Sequence, residues 1–196
     1  EKQSISSAYS TLWNAKGVNV GIDGMPPYKT ELAGVPQVCF KVPTGGGKTF
    51  LAANSIKPIF DSMPHIHPKA VVWLVPSDAI LTQTYRTLTD KNHDYRKKID
   101  VDFGNKVEIY SKQQLLNGQN FNPTSVSDNL SVFVLSYDSF RTSKKDGRKA
   151  YQENGSLLPF VRFKQDSGSL LEDTDETALI QVIRKLNPVV IVDESH

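Results

Sequence analysis

Five short, mainly apolar runs recur along the chain, separated by polar stretches or helical patterns. They cover residues 38–42, 69–75, 107–110, 132–135 and 189–192. Continuous runs of this length are typical of strands that are buried on both faces of a parallel sheet. The pattern therefore predicts a sheet of five strands.

Helical patterns lie between several of these runs. A first helix is predicted from Lys48 toward Ile56, and Pro58 is expected to kink or stop it. Ser77 is a natural N-cap for a second helix. The apolar face of that helix would be formed by Ile80, Leu81, Thr84, Tyr85 and Leu88.

A third helix is predicted just before the last apolar run, with Asp173 or Thr174 as its cap and acidic residues in its first turn. Its basic residues, Arg184 and Lys185, would stand in the last turn. Its apolar stripe would be Leu179, Val182, Ile183 and Leu186. Alternating strands and helices predict an α/β fold, a doubly wound and mainly parallel sheet with right-handed crossovers. Its chemistry should gather at the carboxyl ends of the strands.

The remaining stretches lack a clear period. Residues 1–36 are interpreted as an N-terminal extension without an assigned role, and residues 37–196 as the α/β domain. Residues 141–172 read as an insertion, residues 91–102 as a solvated connection and residues 117–129 as a loop.

The composition is that of an ordinary globular chain. Of its 196 residues, 22% are charged and 38% are apolar, which excludes wholesale disorder. No apolar run approaches the roughly 20 residues that cross a bilayer, and the first residues do not resemble a secretory signal. The only cysteine, Cys39, is expected to pack within the first strand. These features predict a cytoplasmic location.

The net charge of +2, from 23 basic and 21 acidic residues, does not by itself indicate a nucleic-acid binder. Its distribution is uneven. Basic residues crowd one segment as Arg141, Lys144, Lys145, Arg148 and Lys149, and acidic residues crowd a later one as Asp166, Glu172, Asp173, Asp175 and Glu176. The basic cluster is either a DNA-facing loop or a solvated turn. For His65 and His67 a surface loop is favoured over a metal site, because metal sites need three or four donors and no Cys/His cluster lies nearby.

Candidate chemistry begins with the glycine-rich stretch that follows the first apolar run. Thr44, Gly45, Gly46, Gly47, Lys48 and Thr49 form a candidate phosphate cradle between a predicted strand and a predicted helix. The glycines permit unusual backbone angles and a close approach of the phosphates. Lys48 would reach the β and γ phosphates, and the Thr49 hydroxyl would coordinate Mg²⁺. The strict pattern asks for glycine where this chain has Val42. A glycine-rich turn without a ligand is the alternative.

The last apolar run ends in two consecutive carboxylates, Asp193 and Glu194. Hydrolysis of a γ-phosphate requires a held Mg²⁺ ion and an oriented water molecule. We therefore expect Asp193 to share the Mg²⁺ with Thr49, and Glu194 to orient the water or accept its proton. The alternative is a solvated pair of carboxylates.

Together these motifs resemble those of a known family. Residues 43–49 and 193–196 are similar to motifs I and II of superfamily 2 helicases and translocases of the DEAD/DEAH-like group. Residues 76–83, Pro-Ser-Asp-Ala-Ile-Leu-Thr-Gln, resemble motif Ia of that group, and residues 136–140 resemble a later strand-end motif. The resemblance covers about residues 34–196. Within the group, the chain looks most like the motor subunit of type III restriction enzymes.

The resemblance implies the first RecA-like P-loop lobe of an ATP-dependent DNA helicase or translocase, a hydrolase that uses ATP and Mg²⁺. It implies Lys48, Asp193 and Glu194 as catalytic residues, and nucleic-acid contacts by Ser77, Ser136 and Tyr137. Ser77 could equally be only a helix cap, and Tyr137 could equally be a core residue. DNA is the implied track, RNA stays open, and a modification subunit is an implied partner in restriction-modification.

The sequence departs from the family pattern in two respects. No glutamine is suitably placed to read adenine, because Gln37 lies within the predicted first strand and Gln3 is remote. The sequence stops at His196, so we expect the second lobe and its arginine finger in a longer protein, and little activity from these residues alone. The alternative function is a P-loop ATPase that acts as a switch or remodeller without nucleic acid.

Overall fold

The computed structural model describes residues 4–29, 31–32, 35–43, 45–161, 163 and 177–193. The chain divides into two units, Glu1–Val42 and Pro43–His196. None of the helices in the described part of the chain is long and apolar enough to cross a membrane. The predicted insertion and extension boundaries stay predictions.

Helix α1, Ile5–Ala15, is the main element of the first unit. The Ser4 side chain caps it by accepting a hydrogen bond from the backbone N–H of Ser7. Tyr28 tethers the chain that follows, because its hydroxyl donates to the carbonyl of Gln37 at 2.9 Å. The ring of Tyr9 packs against that of Tyr28, with centroids 5.8 Å apart.

The first predicted strand, residues 38–42, is not a strand in the structure, and this prediction is wrong. The side chains of Val38 and Phe40 are 69% and 63% exposed. Cys39 is also exposed, so its predicted packing is wrong as well. An apolar run becomes a buried strand only when a neighbouring strand accepts and donates its backbone hydrogen bonds. Composition does not supply that neighbour.

The other four predicted strands form one sheet, which belongs to the second unit. They are β1 (Ala70–Val75), β2 (Val107–Ser111), β3 (Leu130–Ser136) and β4 (Val189–Val192). Their order is β2-β3-β1-β4 and every pairing is parallel. The predicted α/β fold with a parallel sheet is confirmed.

Helices cover both faces of the sheet. In chain order they are α2 (Lys48–Ser62), α3 (Asp78–Thr89), α4 (Asp94–Asp102), α5 (Lys112–Leu116), α6 (Pro123–Asp128), α7 (Lys145–Arg148) and α8 (Leu179–Lys185). Helices α2, α3 and α4 contribute to one core cluster, around Trp73. Helices α5, α6 and α8 contribute to the other, around Phe133. The strand side chains alternate between these clusters, as the pleat of a sheet requires.

An aromatic cluster fills the second core. The ring centroid of Phe121 lies 5.4 Å from that of Tyr110, 5.5 Å from that of Phe133 and 4.7 Å from that of Phe160. Phe160 ends a 3₁₀ helix, Gly155–Phe160, that also buries Leu157. This part of the stretch that seemed aperiodic is therefore built into the core.

The predicted helices are confirmed in part. Helix α3 has the predicted cap, Ser77, and the predicted apolar face. Helix α2 begins at Lys48 as predicted but continues through Pro58 to Ser62, so the predicted stop is wrong. Continuation buries Phe60 to 1% exposure, and that burial offsets the hydrogen bond that proline cannot make.

The predicted last helix differs at its start. Helix α8 begins at Leu179, after Ala178 as N-cap, and no acidic side chain stands in its first turn. The predicted caps, Asp173 and Thr174, lie outside the described residues. The apolar stripe is confirmed, because its four side chains are at most 5% exposed.

The predicted solvated connection at residues 91–102 is wrong, since most of it is helix α4. A buried ion pair fixes this helix. The Nε atom of Arg96 donates to Asp100 Oδ1 at 2.8 Å, and the side chains are 8% and 12% exposed. The same guanidinium donates to the carbonyls of Leu88 and Val107, at 3.1 Å each. Arg96 therefore joins α4 to the end of α3 and the start of β2.

We expect Asp100→Ala to lower the free energy of unfolding by about 3 kcal/mol or more, because it leaves the buried Arg96 charge without its partner. Lys57 and Asp61 offer a matched control, an exposed pair at the same helical spacing. Asp61→Ala should change the free energy of unfolding by at most about 1 kcal/mol. Chemical denaturation measures both values, and equal losses would contradict the structural role given to Arg96.

Candidate nucleotide-binding site

The glycine-rich turn before α2 has the backbone that a phosphate cradle needs. Gly45 and Gly47 both have φ of +77°, a left-handed conformation that side chains with a Cβ atom rarely adopt. The backbone N–H of Gly46 donates to the carbonyl of Pro43 at 2.9 Å and closes the turn between them. Thr44, which was also predicted for this site, lies outside the described residues.

Helix α2 begins directly after this turn, with Gly47 as its N-cap. A glycine cap provides no side-chain acceptor, and the first turn of α2 contains no acidic side chain. The first backbone N–H groups of the helix therefore have no side-chain partner at the cap, and the positive end of the helix dipole points the same way. This arrangement favours an anion.

Lys48 stands at the first position of this helix and is half-buried. Within the described part of the chain, its ammonium group makes no hydrogen bond or ion pair. A lysine at this point adds a full positive charge to the partial charges of the helix end. The side chain is therefore available to an anionic ligand.

Thr49 and Asp193 meet although 144 residues separate them in sequence. The Thr49 hydroxyl donates to Asp193 Oδ2 at 3.3 Å. Asp193 is only 8% exposed, and it directly follows β4. The structure thus brings together the two residues that the sequence predicted as a Mg²⁺ site, one from each motif.

The sheet explains how this meeting arises. Leu74 of β1 pairs with Val192 of β4, and the backbone N–H of Asp193 donates to the Leu74 carbonyl at 2.9 Å. This hydrogen bond, one residue beyond the end of β4, thus fixes the backbone position of Asp193. Glu194, the second predicted carboxylate, lies outside the described residues.

The oxygen atoms of Thr49 and Asp193 suit a hard cation that phosphate oxygens also coordinate. A hydroxyl and a carboxylate are oxygen ligands, which Mg²⁺ prefers. Among the described residues, no group of three or more His, Cys, Asp or Glu side chains could hold a metal alone. Mg²⁺ in phosphate sites commonly needs only one or two protein ligands, because substrate oxygens and water complete its shell.

The three residues predicted to contact nucleic acid lie at or just after the carboxyl ends of β1 and β3. Ser77 is exposed and caps α3 by accepting from the backbone N–H of Ile80 at 3.4 Å. Ser136 is 3% exposed, and its hydroxyl lies 3.5 Å from that of Ser139. Tyr137 is half-buried. Each serine thus has a local structural contact, and the predicted nucleic-acid contacts stay predictions.

Three charged residues near Ser136 contact one another, and these contacts were not predicted from the sequence. Asp138 accepts from the ammonium of Lys144 and pairs with Arg141, whose Nη1 lies 3.1 Å from Asp138 Oδ1. The hydrogen bond from Lys144 holds the pKa of the Asp138 carboxyl below its ordinary value, so this group stays charged at neutral pH. The spacing of Asp138 and Arg141, three residues apart, was the available signal.

The comparisons with known proteins agree with the motifs. The model of one protein family, described as type III restriction enzyme, res subunit, matches residues 9–196. Comparisons with curated proteins and with solved structures gave no match. The matched family is one of ATP-dependent, helicase-like motor domains of superfamily 2. Its match spans almost the whole chain and includes the glycine-rich turn and Asp193, so this chain belongs to the family of type III restriction enzyme res subunits.

Proposed function

We propose that the protein couples ATP hydrolysis to movement on DNA, as a helicase or translocase of the type III restriction kind. The contact of Thr49 Oγ1 with Asp193 Oδ2 carries the proposal. It joins the phosphate-binding turn to the carboxylate that follows β4, and these are the two halves of a Mg²⁺-nucleotide site. Membership of a helicase-like motor family supports the same conclusion.

In this proposal, the backbone N–H groups of Gly45 and Gly47 and of the first turn of α2 hold the phosphates. Gly46, whose N–H closes the turn on the Pro43 carbonyl, leaves room for them because it has no side chain. The ammonium group of Lys48 neutralises charge on the β and γ phosphates. Thr49 and Asp193 hold Mg²⁺ through their oxygens. The bound ion supplies Lewis-acid stabilisation of the charge that develops on the transferring phosphoryl group.

Glu194 completes the proposed chemistry. It is the next carboxylate after Asp193 and would orient the attacking water molecule. Little covalent chemistry is required of the protein, because phosphoryl transfer depends mainly on position and on electrostatic stabilisation. The residues of this chain therefore act by binding, by orientation and by charge.

A nucleic-acid track is proposed because the sheet edge that carries Asp193 also carries Ser77 and the chain that follows Ser136, and DNA in particular is proposed from family membership. Parallel strands deliver these residues to one edge, since Val75 of β1 pairs with Ser136 of β3. A nucleic-acid strand at this edge would lie close to the nucleotide, which the coupling of hydrolysis to movement requires. A modification subunit is proposed as a partner from family membership.

We expect DNA to raise the ATPase rate of the full-length protein. The measurement compares the rate without nucleic acid with the rates in single-stranded DNA, duplex DNA and RNA. DNA should raise the rate because its binding completes the arrangement in which hydrolysis is productive. A rate that no nucleic acid changes would contradict the proposal and would favour an ATPase switch or remodeller.

Lys48→Ala should lower the ATPase rate by about 100-fold or more, because one full charge at the phosphates is lost. Lys57→Ala is the control, since Lys57 lies on the same helix with an exposed side chain that pairs with Asp61. It should leave the rate unchanged. Equal rates for the Lys48 variant and the unmodified protein would show that the turn has no catalytic role.

Asp193→Asn should raise the Mg²⁺ concentration for half-maximal binding of a fluorescent ATP analogue by about 10-fold or more. The amide keeps an oxygen for the Thr49 hydroxyl but removes the negative charge that favours the ion. Asp78→Asn, at an exposed position in the first turn of α3, is the control. An unchanged Mg²⁺ requirement in the Asp193 variant would contradict its assignment as a metal ligand.

A further inference from the structure

Positive charge is concentrated in one short stretch of the chain. Residues 138–149, which we call the basic segment, contain five basic and two acidic residues and carry a net charge of +3. The whole chain carries only +2. The rest of the protein is therefore slightly acidic, and the basic segment is a local feature of the surface.

The basic segment is a built structure and not a loose turn. The backbone N–H of Lys144 donates to the Arg141 carbonyl at 3.1 Å, and that of Arg148 donates to the Lys144 carbonyl at 3.1 Å. A Cβ atom on Gly147 would lie 1.9 Å from the Arg141 carbonyl oxygen, so only glycine fits there. The close contact fixes α7 against the chain at Arg141.

One buried residue and one hydrogen bond fix the end of the basic segment. The side chain of Ala150 is 1% exposed. The hydroxyl of Tyr151 donates to the carbonyl of Phe140 at 3.1 Å and so joins the two ends of the segment. The basic side chains are thus presented by a backbone whose position is fixed, which lowers the entropy that a ligand must remove on binding.

The basic residues differ in their charge partners. Arg141 and Lys144 both pair with Asp138. Lys145 and Arg148 are exposed, and neither has a hydrogen bond or ion pair with a side chain in the described ranges. They are three residues apart on α7, so their side chains leave the helical turn on the same side. Two positive charges therefore face solvent together.

The position of the basic segment relates it to the nucleotide site. It follows Ser136, which pairs with Val75 of β1, and Leu74 of β1 accepts from the N–H of Asp193. Two strand spacings separate Ser136 from Asp193, a distance of roughly 10 Å. The basic segment therefore starts at the sheet edge where the nucleotide is proposed to bind.

A polar cleft of about 260 Å³ extends this surface beyond the basic segment. Its lining includes Lys149, the amide side chains of Gln113, Asn117 and Gln152, and one carboxylate, that of Glu153. Amide and ammonium groups donate hydrogen bonds to phosphate and sugar oxygens. The basic segment and this polar cleft thus meet at Lys149.

We propose that the basic segment binds the phosphate backbone of the nucleic acid on which the motor acts, with Lys145 and Arg148 as direct contacts. The proposal rests on the proposed function. Contacts of this kind position a strand and read no sequence. Asp138 neutralises part of the positive charge of the segment and so limits its affinity.

The test compares the full-length Lys145→Gln/Arg148→Gln variant with the unmodified protein in binding of labelled DNA of mixed sequence. The affinity is measured over a range of salt concentrations. Removal of two phosphate contacts should flatten the plot of log affinity against log salt by about 1.8 for duplex DNA. The affinity at ~0.1 M salt should fall at least about 10-fold.

A matched control removes the same charge elsewhere. Lys91 and Lys97 are exposed and lie before and within α4, on the other face of the sheet. The Lys91→Gln/Lys97→Gln variant should keep the salt slope and the affinity of the unmodified protein. A slope that falls equally in both double variants would overturn the proposal, because the effect would then be one of net charge alone.

Asp138→Asn provides a test in the opposite direction. It releases Arg141 and Lys144 from their carboxylate partner, so DNA binding should tighten and the salt slope should steepen. A purely structural role for this cluster predicts weaker binding instead. Nucleotide binding checks that each variant is folded, and if the Lys145/Arg148 variant fails that check, the direction of the Asp138→Asn effect decides.

The outcomes separate the two proposals. If DNA neither binds to nor stimulates the unmodified protein, the proposed function fails. If DNA stimulates the unmodified protein but the Lys145/Arg148 variant keeps its slope and affinity, only the assignment of the basic segment is overturned. An acidic protein partner for this surface would give that second result.

Discussion

Parallel pairing of β1 with a neighbour on each side is the constraint on which the site depends. It aligns the ends of β3, β1 and β4, so that Ser136, Val75 and Asp193 lie in adjacent positions at one edge. Asp193 can accept from Thr49 only because β4 ends level with β1. A shift of β4 by one residue would turn its side chains to the opposite faces and would remove the carboxylate from Thr49.

The helical layers on the two faces of the sheet differ in their chemistry. One layer contains the buried Arg96–Asp100 pair, and the Arg96 guanidinium also donates hydrogen bonds to two backbone carbonyls. Burial of these two charges costs desolvation free energy, and the ion pair and the added hydrogen bonds offset that cost. The other layer is packed by aromatic rings around Phe121.

In the two proposals made above, the same edge of the sheet attracts two kinds of anion. The turn at Gly47 and the side chain of Lys48 suit the phosphates of a nucleotide, and the basic segment suits the phosphates of a polymer. Asp138 lies within the basic segment and remains charged, because the hydrogen bond from Lys144 lowers its pKa. A motor requires the nucleotide and the nucleic acid to bind close together, because the hydrolysis of one is coupled to movement on the other.

Two motifs far apart in the sequence predicted that Thr49 and Asp193 act together, and the tertiary structure brings their side chains into contact. The sequence by itself determined four of the strands, the start of α2 at Lys48 and the cap at Ser77. These follow from local signals: apolar runs, a glycine turn and a capping serine each act within a few residues. Tertiary structure decided the rest. Residues 38–42 are apolar but have no paired neighbour, and Pro58 is tolerated because Phe60 is buried. The polar stretch around Arg96 is a buried helix because its charge finds Asp100 and two carbonyls, and the energy of a charge depends on partners that local sequence does not reveal.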